Sequence, residues 1–96
     1  MNTEINCIAR FVAKEDSVEQ LKAALIALLE PTRSEEGCIS YRLNVDVEHG
    51  HIFTMIEKFK SQEAYDFHGQ QPYLQNLLSF VGDLTESVEV NSYKAV

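Results

Sequence analysis

The sequence predicts an α+β fold: one antiparallel sheet with helices on a single face, built by a chain of 96 residues. Three observations predict it. Apolar residues alternate with period two in four separate stretches. The three-and-four spacing of a helix face appears after the first of these stretches and again before the last. The middle two strands are joined only by the polar turn Glu48-His49-Gly50-His51, which makes them a hairpin. No repeat, linker or low-complexity segment divides the chain, so residues 1–96 are expected to form a single domain. A chain of this size buries roughly 60–68% of its unfolded surface, enough for one core without staples.

The elements follow in order. From Ile5 to Ala13, the odd positions Ile5, Cys7, Ala9, Phe11 and Ala13 oppose Asn6, Ile8, Arg10 and Val12. Both sets carry apolar residues, which predicts a central strand covered on both sides. Asp16 or Ser17 can cap the helix that follows, with Glu19 or Gln20 completing a capping box. Its buried stripe is Val18, Leu21, Leu25 and Leu28. Pro31 kinks that helix or starts a short turn running to Glu36, and Gly37 ends the segment. Cys38 to Asp46 alternates as the second strand and Ile52 to Phe59 as the third. Ser61 caps a helix that reaches His68 just before Gly69. Pro72 opens another, with the stripe Leu74, Leu77, Leu78 and Val81, and Gly82 is expected to stop it. Thr85 to Tyr93 is the last strand. Strand, helix, strand, strand, helix, strand is the ferredoxin-like βαββαβ order.

Composition narrows the function. Fifteen acidic side chains against eight Lys and Arg give a net charge near −7, which disfavours nucleic acid and anionic membrane as partners. The start Met1-Asn2-Thr3-Glu4 has no basic leader region, and no stretch reaches the roughly 18 apolar residues of a membrane span. The expected location is cytoplasmic. Cys7 and Cys38 lack metal-ligand spacing and read as small buried thiols. His49 and His51 flank Gly50 with no third ligand nearby in sequence, so no metal site is expected.

The chemistry centres on Ile52 to His68. Glu57 interrupts the row Phe53, Met55, Phe59, and His68 closes the helix that follows. A carboxylate desolvated among apolar side chains has its pKa raised, and an imidazole titrates near neutrality, at about 6.5 when unperturbed. His68 is therefore the candidate base, with Glu57 sharing its proton or orienting it. Tyr41 and Arg10 are candidates to hold substrate oxygens, and Phe53, Met55 and Phe59 to form an apolar wall. Each also has a structural reading: a satisfied buried carboxylate, a histidine serving its helix dipole, and core packing. Phe53, Met55, Phe59, Tyr41 and Ile39 exceed what two short helices cover, so a second copy is expected to pack sheet to sheet as a homodimer.

The runs Glu36-Gly37-Cys38-Ile39-Ser40-Tyr41, Met55 through Ser61, Ala64 through His68 and Gln71-Pro72-Tyr73 resemble the antibiotic biosynthesis monooxygenase domain. The resemblance spans nearly the whole chain. It implies a dimeric α+β barrel that oxidises quinols or polycyclic phenols with molecular oxygen, without metal, flavin or other cofactor. One branch degrades heme, but its axial histidine falls where this chain has Leu77-Leu78, and its first-strand asparagine is Ala9 here. Another branch isomerises a phosphorylated autoinducer sugar, and Ala64-Tyr65-Asp66-Phe67-His68 is similar to its pattern. Phe59 replaces the commoner tryptophan, which keeps an apolar wall and loses an indole donor. Three functions remain open: a cofactor-independent monooxygenase, a small-molecule isomerase using the same acid–base pair, and a non-catalytic ligand-binding barrel.

Overall fold

A computed structural model describes residues 3–96. Met1 and Asn2, which belong to the start expected to lack a leader, lie outside the described residues. The elements are β1 (Ile5–Ala13), α1 (Val18–Ile26), α2 (Leu29–Arg33), β2 (Cys38–Val45), β3 (Ile52–Phe59), α3 (Gln62–Gly69), α4 (Pro72–Leu84) and β4 (Thr85–Tyr93). The strands form one sheet in the order β2-β3-β1-β4, and every neighbouring pair is antiparallel. This is the predicted α+β architecture, with the expected interruption of the first helix near Pro31 and, as expected, separate helices before and after Gln70-Gln71. Pro31 sits inside α2, and Gln70-Gln71 separate α3 from α4, whose first residue is Pro72.

Those breaks change how the sheet is covered. Four helical segments fold over one face and bury Tyr41, Phe53, Met55 and Phe59 completely. The expectation that these side chains overflow onto the other face is therefore corrected. Ile39 is the exception, because it is the extra residue of a bulge between Cys38 and Ser40 and turns outward. β1 is central as predicted but covered on one face only. Its odd residues lie in the core, while Ile8 and Arg10 stand exposed on the open face.

Local chemistry explains the segment ends. Ser61 caps α3 by accepting from the Ala64 N–H at 3.1 Å. At α1, Ser17 is the cap residue but bonds Asp16 instead of the helix, so the expected capping box is absent. Gly82 does not stop α4, which continues to Leu84. The helix ends where Thr85 turns extended and its Oγ1 donates to the Val81 carbonyl at 2.9 Å. Gly37 has a positional reason to be glycine. A Cβ there would run into Cβ of Ala64, so only glycine lets the start of β2 lie against the first turn of α3. Lys60 N–H donates to the Gly37 carbonyl at 2.9 Å across the same junction. That junction fixes where α3 sits over the sheet, and hence where His68 points.

Candidate active site

A cavity of about 460 Å³ lies between the helix-side face of the sheet and helices α3 and α4. Its walls are mostly apolar, from Ala9 and Phe11 on β1, Leu74 and Leu77 on α4, and Val88 and Val90 on β4. A polar cluster interrupts them. Tyr41 and Cys7 flank Glu57 as its partners across the neighbouring strands. Tyr65 hydroxyl and Cys7 Sγ lie 3.5 Å apart. His68 descends onto this group from the last turn of α3.

His68 is 3% exposed and held on every side. Its ring packs against Phe59, with centroids 5.0 Å apart, and edge-on to Tyr41 at 5.4 Å. Nδ1 is 2.9 Å from Oε2 of Glu35, a buried carboxylate in the loop between α2 and β2. In the neutral imidazole, a carboxylate partner at Nδ1 favours the proton there and leaves Nε2 as the lone-pair nitrogen. Tyr73 of α4 donates its hydroxyl to the same Glu35 oxygen. Two donors on one oxygen fix the carboxylate, and the carboxylate fixes the ring. This side chain does not serve its own helix end, since its nitrogens turn to the carboxylates of Glu35 and Glu57.

Nε2 lies 3.9 Å from Oε1 of Glu57, too far for a direct hydrogen bond and close enough for both to reach one intervening atom. Burial pushes the Glu57 carboxyl up to about 8. A hydrogen bond from Cys7 works against that shift, and the nearby charge of Glu35 adds to it. Burial, then the charge of Glu57, raises the Tyr41 phenol; burial and Cys7 raise that of Tyr65. Cys7 itself is pushed up to about 11, first by burial and then by Glu57. Near neutrality the cluster thus offers O–H and S–H donors around the His68 ring, whose Nε2 faces Glu57.

The structure brings together four of the side chains singled out in the sequence. Tyr41, Met55, Glu57 and His68 all line the cavity. Phe53 and Phe59 do not; they are sealed in the core, and Phe59 instead supports the His68 ring. Arg10 faces away, opposite Thr54 and Glu89 on the open side of the sheet, so within this chain it cannot reach the cavity. His49 and His51 face each other in the β2–β3 turn, which Asp46 caps through the Glu48 and His49 N–H groups. Among the described residues, no group of three or more His, Cys, Asp or Glu is disposed to hold a metal ion. Sequence reasoning missed Glu35 and Tyr73. The pair Glu35-Glu36 ahead of Gly37 was the available signal, but nothing in it says which carboxylate turns inward.

Residues 5–78 match the antibiotic biosynthesis monooxygenase family profile. Rv0793 of Mycobacterium tuberculosis, provisionally named a monooxygenase, is 36% identical over 84 residues, covering 88% of this chain and 82% of that protein. Its solved structure superposes with a TM-score of 0.94, covering 98% of this chain and 96% of that one. SO0527 of Shewanella oneidensis, also a solved structure, is 37% identical with a TM-score of 0.93, covering 97% and 91% of the two chains.

Proposed function

The chain belongs to the antibiotic biosynthesis monooxygenase family, and on that footing we propose that it oxidises a quinol or polycyclic phenol with molecular oxygen. One observation carries the reading. Glu35 holds Nδ1 of His68, so the free nitrogen is presented to an apolar cavity large enough for a fused aromatic ring system. Nε2 removes the hydroxyl proton of a bound quinol, and the resulting anion is electron-rich enough to reduce oxygen. For a quinol the balance is quinol plus O₂ to hydroxyquinone plus water. One oxygen atom enters the ring, and the other leaves as water with the proton that His68 returns. The substrate anion supplies the electrons itself, so the step asks the protein only for a base, donors and a dry cavity.

The isomerase reading has less support. Its phosphorylated substrate calls for cationic side chains, yet no Lys or Arg is among the residues that line the cavity, and Asp66 is. A non-catalytic barrel would leave the strict presentation of Nε2 without a use. We also infer that a second copy covers the open sheet face, where Ile8 and Ile56 stand 40% and 47% exposed. No described helix is long and apolar enough to cross a membrane.

Oxygen uptake against a panel of reduced naphthoquinones tests the proposal. The expected result is catalytic uptake of one O₂ per quinol, with a hydroxyquinone formed and no added metal or flavin required. Turnover of no quinol above the uncatalysed rate would overturn it.

A further inference from the structure

The spacing of His68 and Glu57 defines a seat for a single atom. Nε2 and Oε1 stand 3.9 Å apart, both beside the cavity and both almost wholly shielded from solvent. One oxygen placed between them lies within hydrogen-bond distance of each, whereas the two groups cannot bond one another. We propose that the ligand is anchored through one uncharged hydroxyl oxygen in this seat, donating its proton to His68 Nε2 and accepting a hydrogen bond from the carboxyl of Glu57. Glu57 is then a catalytic donor to the oxyanion formed when the proton leaves, in place of a partner that orients the base. Glu35 already fills that orienting role at 2.9 Å.

The surroundings select the ligand class. Glu57 faces Cys7 from β1, Tyr41 from β2, and His68 and Tyr65 from α3, with Glu35 behind the imidazole. No cation lies among the residues of the cavity wall to receive a phosphate or carboxylate. The carboxyl keeps its proton because burial favours the neutral form, and a neutral carboxylic acid in an apolar site is an effective donor to a developing oxyanion. The ligands that fit are uncharged hydroxyl-aromatics whose charge is created only after binding. This deepens the oxygenase reading and rests on it for the fate of the anion, but the seat itself is a binding property.

Anaerobic binding of 1-naphthol and naphthalene tests the seat. Naphthalene has the same ring system without the oxygen that would occupy it. Wild-type protein is expected to prefer 1-naphthol by roughly tenfold or more. Glu57→Leu removes the donor to that oxygen and should cut the preference severalfold, while naphthalene still binds and so shows that the variant is folded. Glu57→Gln retains an N–H donor and should restore most of the preference. In wild type the preference should fall as the pH rises through about 8, where Glu57 loses its proton, and in Glu57→Gln it should not. An unchanged preference in Glu57→Leu, or an equal loss in Glu57→Gln, would overturn the seat. Because oxygen is excluded, these outcomes stand whether or not a quinol is turned over.

Discussion

His68→Ala lowers quinol turnover by about 10²–10⁴, the usual contribution of a positioned base. The loss of the base falls on kcat, and KM rises as well because the substrate hydroxyl loses its acceptor, while the apolar walls still bind the ring system. Stability also changes, by more than a helix-end histidine in solvent would cost. His68 is buried and bonded to Glu35, so its removal leaves a buried carboxylate with one donor fewer, at roughly 1–3 kcal/mol. Steady-state kinetics and a denaturation midpoint, measured on the same preparation, separate the two effects. A folded His68→Ala protein that turns over quinol at the wild-type rate removes the base assignment.

Glu57 gives the second large effect, a stability that declines as the solution becomes more alkaline. Its carboxyl rises from the ordinary 4.5 to about 8 in the folded chain. Across that window the folded state binds a proton that the unfolded state has already released. The contribution of Glu57 to folding stability is therefore full below about 4.5, falls as the pH rises, and is lost above about 8. The slope approaches roughly 1.4 kcal/mol per pH unit at its steepest. Glu57→Gln cannot ionise, so it should lack this component and gain on wild type steadily through the window. Denaturant midpoints taken across the range for both proteins give the answer. Parallel curves would mean that the carboxyl is not desolvated in solution.

Much of this was legible in the sequence, for identifiable reasons. β1 and β4 carry enough alternation that their observed ends, Ile5–Ala13 and Thr85–Tyr93, match those read from the chain. Glu57 stood out because a charge inside an apolar row needs a reason, and His68 because Ser61 marked where its helix began. Arg10 was misplaced relative to the cavity because both faces of β1 carry apolar residues. Alternation sorts residues into two faces without saying which one meets the helices. The expected overflow, which set only two helices against the face, did not occur, because the breaks near Pro31 and at Gln70-Gln71 leave four segments to cover it. For Glu35 the local pattern Glu35-Glu36-Gly37 marks a carboxylate pair without saying which one turns inward. Glu35 acts on a histidine 33 residues away, and its orientation depends on how the α2–β2 loop packs beneath α3.

Turnover at this site requires one event, the removal of a hydroxyl proton by His68 inside the cavity. Bound 1-naphthol reports it directly under nitrogen, because its anion absorbs at longer wavelength than the neutral form and cannot react onward. The predicted result is that naphthol ionises at a lower pH when bound to wild-type protein than when free, and that His68→Ala abolishes the difference. Naphthol that binds wild type with the ionisation of the free compound, or a shift that persists in His68→Ala, would contradict it.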